Sequence, residues 1–107
     1  MLQPDQLALA AQRLADAASR PATVIVFGSY ARGDATEASD LDLLVVEPEL
    51  TDKAAEYLRL KEAVGRIGVG VDLLLIARPD FERRSQVPGT LPYWVKKEGR
   101  VLYDATA

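Results

Sequence analysis

Apolar positions along the chain fall into blocks of helical and strand period. From Pro4 to Ser19, Leu7, Ala11, Leu14 and Ala18 recur at helical spacing with few breakers between them. This predicts a first helix packed on an apolar surface and ended by Pro21. Ala22 to Phe27 (ATVIVF) is β-branched and almost wholly apolar between Pro21 and Gly28, the composition of a strand covered on both faces. Ser29 to Gly33 (SYARG) reads as one short helical turn, Asp34 to Ser39 as a polar loop, and Leu41 to Val46 (LDLLVV) as a second buried strand. Thr51 is placed to cap a helix running to about Arg66, with Tyr57, Leu60, Val64 and Ile67 as its apolar stripe and Gly68 and Gly70 as its stop. Val71 to Ala77 (VDLLLIA) is a third strand. Pro79 fits the first turn of a short helix through Arg84, and Pro88-Gly89 makes a turn. Thr90 caps a last helix, Leu91 to Glu98, whose Lys96 and Lys97 complement the dipole before Gly99 ends it. Arg100 to Tyr103 (RVLY) is a short terminal strand.

Helix, strand, strand, long helix, strand and then small elements predict an α/β or α+β fold, a sheet covered by helices. The connection from Val46 to Val71 is long enough to cross over between parallel strands, whereas the first two strands can run either way. With 107 residues, 49% of them hydrophobic, and no internal repeat or linker, the chain is expected to form one domain over residues 1–107. Its apolar runs are short and its N-terminus lacks a secretory pattern, so a cytoplasmic protein with no membrane contact is expected.

Charge narrows the chemistry. Thirteen basic against 16 acidic residues give a net charge of −3, which argues against a general electrostatic grip on nucleic acid or an anionic membrane. Cysteine and histidine are absent, so any metal must be held by oxygen, and no histidine base is available. The segment 34–62 carries nine acidic and three basic residues, whereas 78–107 carries six basic and four acidic. Solvated helix faces account for that asymmetry, as does a cation-attracting half beside one that tolerates polyphosphate.

On a strand, Asp40 and Asp42 present two carboxylates on one face at the start of LDLLVV, and Asp72 holds a similar place in VDLLLI. Two like charges about 5 Å apart repel by roughly 3 kcal/mol at an effective dielectric near 20, a sizeable part of a small domain's stability. No Lys or Arg lies close in sequence to any of the three, so a hard divalent cation is the natural compensation. An isolated Asp-x-Asp is more often a solvated strand end. The third carboxylate and the turn upstream favour a metal site. That turn is Gly28-Ser29, between a buried strand and a helical turn. Glycine admits close approach of a ligand to the backbone, and the Ser29 hydroxyl can donate to a phosphate oxygen. Alone, Gly-Ser after a strand is usually just a turn. A P-loop is excluded, because Asp34 follows Gly33 where lysine is required.

Gly28-Ser29, ten intervening residues and Asp40-x-Asp42, in GSYARGDATEASDLDLLVV, together resemble the defining motif of the DNA polymerase beta-like nucleotidyltransferase superfamily. Within it the chain is similar to the minimal nucleotidyltransferases of bacteria and archaea, through Ala31-Arg32-Gly33, Ser39, the later strand with Asp72 and the closing EGRVLY. The resemblance implies a mixed sheet flanked by helices and bearing two Mg2+ ions. Asp40 and Asp42 would bind both ions, and Asp72 would complete the site on the side of the acceptor hydroxyl. Gly28 and Ser29 would hold the distal phosphates of ATP, with Arg32 as a further phosphate contact or a plain surface residue.

Many members of that group are antitoxins that silence a HEPN-domain RNase toxin by transferring AMP to one of its tyrosines, and the chain resembles these. The expected partner is therefore a cognate HEPN toxin in a hetero-oligomer, without direct contact to nucleic acid. Neutralisation by binding alone and transfer to a small molecule are the alternatives. Arg83, Arg84, Lys96 and Lys97 suit either the triphosphate or the partner, though helix-surface charge explains them as well. Tyr93 and Trp94 suit a partner-facing patch or packing onto the core.

Overall fold

A computed structural model describes residues 1–105. The elements are α1 (Pro4–Ala17), β1 (Thr23–Phe27), α2 (Ser29–Arg32), β2 (Leu41–Glu47), α3 (Lys53–Val64), β3 (Val71–Ala77), α4 (Arg78–Arg84), α5 (Leu91–Glu98) and β4 (Arg100–Asp104). They form an α+β fold around one mixed four-stranded sheet of order β3-β2-β1-β4. β1 runs antiparallel to both β2 and β4, and β2 runs parallel to β3 across the α3 crossover.

Each sheet face has its own apolar layer. Leu41, Leu43 and Val45 point towards α1 and α3, where they meet Leu7, Ala11, Leu14, Leu60 and Val64. Leu44 and Val46 point the other way, beneath Phe81 of α4 and Val95 of α5, together with Ile25 and Ile76. Both faces of β1 and β2 are thereby covered, as their continuous apolar runs require. The short helices α4 and α5 cover only part of their face. Leu44 and Val46 are sealed, while Phe27 and Asp42 at the other end of the same strands stay half-buried.

Several boundaries differ from the sequence expectation, two of them because a side chain outcompetes the pattern, and α3 ends at Val64 with Gly65, rather than Gly68 or Gly70, as its stop. Asp52, not Thr51, caps α3, its Oδ1 accepting from the Ala55 amide at 3.1 Å. Adjacent residues of equal capping ability cannot be separated by spacing. The first helix stops at Ala17 rather than Ser19, because the chain turns extended at Ala18 and the Ser19 amide and hydroxyl donate to Glu56 at 2.8 and 2.6 Å. The second strand runs one residue past Val46, to Glu47.

Glu47 is fully buried, and neither carboxyl oxygen meets a protein donor. Burial, then the adjacent Glu56 carboxyl, push it up from 4.5 to about 8. The folded chain therefore holds a proton that the unfolded chain releases above about pH 4.5. This contribution is fully present below pH 4.5 and is lost as pH rises through about 8. Glu47→Leu should consequently be more stable than the wild type at pH 8, by roughly 1–4 kcal/mol. In thermal melts from pH 5 to 9 its Tm should decline less than that of the wild type. Parallel pH curves would show that Glu47 has a donor in solution.

Candidate active site

The antiparallel pairing of β1 with β2 gathers the site. Phe27 lies opposite Asp42, so the chain leaves β1 and enters the Gly28-Ser29 turn at the end of β2 that carries Asp42. Because β3 is parallel to β2 with Asp72 paired to Asp42, the third carboxylate arrives at that end too. Directly paired residues share a face, so Phe27, Asp42 and Asp72 all lie on the side that α4 and α5 leave uncovered. Asp40 sits just before β2, beside Gly70 at the start of β3, and the Leu41 amide donates to the Gly70 carbonyl at 2.8 Å.

Two glycines make room for these carboxylates. Gly28 has φ +70°, and a Cβ there would collide with the Asp42 carboxylate. A Cβ at Gly70 would collide with the Asp40 carboxylate in the same way. Gly28 therefore serves twice, supplying a backbone conformation that side chains resist and an open space beside the acid. From the sequence, Gly70 reads only as a helix stop. In the structure α3 is stopped by Gly65 instead, and the place of Gly70 beside Asp40 shows once β2 and β3 are placed in register.

The short helix α2 is held from both sides. The Gly28 carbonyl accepts from the Ala31 and Arg32 amides at 3.1 and 3.0 Å, and those of Ser29 and Tyr30 have no partner within the helix. Buried Tyr30 accepts the Leu2 amide on its hydroxyl at 3.1 Å, and Arg100 donates to the Tyr30 carbonyl at 3.0 Å. Tyr30 lies within GSYARG and Arg100 within EGRVLY, but what each holds depends on a partner distant in sequence.

Electrostatics centre on Asp42. Burial first, then hydrogen bonding and charge from Asp72, then the charge of Asp40, raise its carboxyl above the ordinary value of 3.8, and Arg32 opposes them. Arg32, ten residues before Asp42, offsets only a small part of this charge, and its Nε also lies 3.4 Å from Asp34. Among the described residues, no three acidic side chains close around a common point. Magnesium is typically held by one or two carboxylates with phosphate oxygens and water, so an all-protein cage is not required. All-oxygen donors, glycine-made space around Asp40 and Asp42, and excess negative charge at Asp42 fit such an ion. An open cleft of about 410 Å3 borders Asp42 and Asp72, with Phe27, Tyr57 and Leu74 among its walls.

The remaining candidates lie elsewhere. Arg83 pairs with Asp80 at 2.7 Å on α4. On α5, Pro92 and Val95 face the core, while Trp94 is exposed edge-on to Tyr93 with Lys97 over both rings.

The sequence profile of the nucleotidyltransferase domain family matches residues 7–97. The chain belongs to that family. A candidate protein adenylyltransferase of Methanocaldococcus jannaschii is 34% identical over 80 residues, covering 75% of this chain and 76% of the relative. Another from the same organism is 34% identical over 71 residues, 62% of this chain. That match spans about half of the relative's length, 48%. Among solved structures, a toxin–antitoxin crystallised with AMP-PNP aligns with TM-score 0.66 at 20% identity, over 96% of this chain and 74% of the other. A nucleotidyltransferase candidate from Sulfolobus solfataricus aligns with TM-score 0.64 at 19% identity, over 94% and 79%. At such identities these two establish the fold of this nucleotidyltransferase domain.

The raised Asp42 carboxyl carries a sign. Its ionised form is disfavoured in the folded state, so removing that charge relieves the fold wherever Asp42 would be ionised. Without divalent ions, Asp42→Asn should leave Tm unchanged or raise it by a few degrees at pH 7, and the difference should vanish near pH 3. A loss of several degrees at pH 7 would reveal a structural hydrogen bond to Asp42.

Proposed function

We propose that this chain is a magnesium-dependent adenylyltransferase that moves AMP from ATP to a tyrosine hydroxyl of a HEPN RNase toxin, acting as the antitoxin of that pair in the cytoplasm as a single domain. The observation that carries the catalytic half is the pairing of Asp42 with Asp72 across β2 and β3, beside the Gly28 turn. Adenylyltransferase relatives and the toxin–antitoxin fold neighbour support the choice of nucleotide and partner.

In this proposal the Gly28-Ser29 turn and Arg32 bind the distal phosphates, and the cleft beside Phe27 and Leu74 gives an apolar wall to the base or the acceptor. Asp40 and Asp42 would hold two Mg2+ ions, with Asp72 on the acceptor's side. The ions supply charge neutralisation for the phosphates and lower the cost of ionising the acceptor hydroxyl. The tyrosine oxygen bonds to the α-phosphorus, the bond to the β-phosphate bridge breaks, and pyrophosphate leaves with that electron pair. The hydroxyl proton passes to solvent or a carboxylate. The protein's own contribution is alignment, because Tyr30 and Arg100 fix the turn relative to the strands that carry the acids.

Incubation of the purified chain with α-labelled ATP, Mg2+ and the product of the neighbouring gene should label that product, and EDTA or Asp40→Ala with Asp42→Ala should abolish the label. An unlabelled authentic partner that is still neutralised would replace transfer with inhibition by binding.

A further inference from the structure

A second cluster of charge lies at the opposite end of β2, five residues from Asp42, or about 16 Å along the strand. A cleft of about 320 Å3 is lined there by Ser19, Arg20, Glu47, Asp52, Glu56 and Arg59, among others. Its floor is Glu47, fully buried and without a protein donor on either oxygen. When protonated, Glu47 can share its proton with Glu56, but its second oxygen still lacks a donor. When ionised, both lack one. A buried acceptor left in that state costs stability, and nothing in the fold of β2 requires a carboxylate at a position its neighbours fill with valine.

The surroundings define what would satisfy it. Glu56 is already occupied, accepting from the Ser19 hydroxyl at 2.6 Å and the Ser19 amide at 2.8 Å. Arg59 donates to the Ser19 hydroxyl at 3.1 Å and lies 4.0 Å from Glu56, and Arg20 is tied to Glu49 at 3.3 Å. Two guanidiniums, both already engaged, thus stand beside Glu47, Asp52 and Glu56, and neither donates to Glu47. A bare divalent ion would need several further oxygen ligands, and the neighbouring acids Glu56 and Asp52 are already engaged by Ser19, Arg59 and the Ala55 amide. A planar fork of two N–H donors needs only the two oxygens of Glu47, and a guanidinium is more weakly hydrated than an ammonium, so it enters a buried site at lower cost. The volume lies at the lower limit of small-ligand sites and suits one such group with a short chain.

We propose that this cleft binds a guanidinium group, carried by a small molecule or by an arginine side chain of a partner protein, with Glu47 as its two-pronged acceptor. Binding ionises Glu47 and releases one proton to solvent. Affinity should then tighten by about tenfold per pH unit below the point where Glu47 ionises unaided. The other charged groups facing Glu47 are Arg20, Asp52, Glu56 and Arg59, and only Glu47 combines full burial with a lack of donors.

The test is a calorimetric titration of the whole chain with agmatine and with an N-acetylated, C-amidated Gly-Arg-Gly peptide, at pH 6.5 and 7.5, with butylamine as the ammonium control. Agmatine should bind with release of one proton and about tenfold more tightly at pH 7.5, and Glu47→Gln should weaken it at least tenfold. Comparable binding of the peptide assigns the site to a partner's arginine, and exclusion of the peptide assigns it to a small molecule. The carboxyl-carbon resonance of Glu47 in the wild type supplies a readout independent of how the variant folds, and should move to the ionised position on adding agmatine. Failure of both guanidinium probes to bind, equal binding of butylamine, or an unmoved Glu47 resonance overturns the proposal.

Discussion

The candidate active site is organised by a repulsion. Asp42 and Asp72 stand opposite one another on adjacent parallel strands, with Asp40 two residues away, and the fold does nothing to separate them. Burial and these two neighbours push the Asp42 carboxyl upward, and Arg32 is the cation that opposes them. A domain of this size has little stability to spare, so such a cluster is an arrangement awaiting positive charge. The surrounding features follow from it. Gly28 and Gly70 lack the side chains that would collide with Asp42 and Asp40, and α4 and α5 stop short of this end of the sheet.

Strand direction is what turns motif into geometry. In sequence, Gly28-Ser29 and Asp40-x-Asp42 are two separate signals, and the first two strands could have run either way. Only the antiparallel arrangement returns the turn after β1 to the beginning of β2. A parallel arrangement would have left the turn about 16 Å from the acids, at the Glu47 end. The α3 crossover sets β3 parallel in the register that places Asp72 against Asp42.

What could be read from sequence was what local chemistry dictates. β3 and α5 begin and end where the apolar run and the Thr90 and Gly99 signals put them, and Thr90 accepts the Tyr93 amide as a cap should. The Thr51 assignment failed because Asp52 competes for the same task one residue later, and α1 ended early because Ser19 is recruited by Glu56, 37 residues away. The same limit hid the place of Gly70 beside Asp40, the anchoring of α2 by Tyr30 and Arg100, and the buried acid at Glu47. Each depends on a partner distant in sequence. Asp40, Asp42 and Asp72 were legible because charges at the start of apolar strands violate the local pattern.

In the proposed function, the charge cluster at Asp40, Asp42 and Asp72 takes up divalent cations together with nucleotide. Manganese, substituting for magnesium, reports this directly through paramagnetic broadening of assigned backbone amide resonances. Titrated with ATP present, it should broaden the amides around Asp42, Asp72 and Gly28-Ser29 first, and Asp42→Asn should reduce the effect sharply. Broadening that begins at the Glu47 end of β2, or that is indifferent to ATP and to Asp42→Asn, would contradict the account.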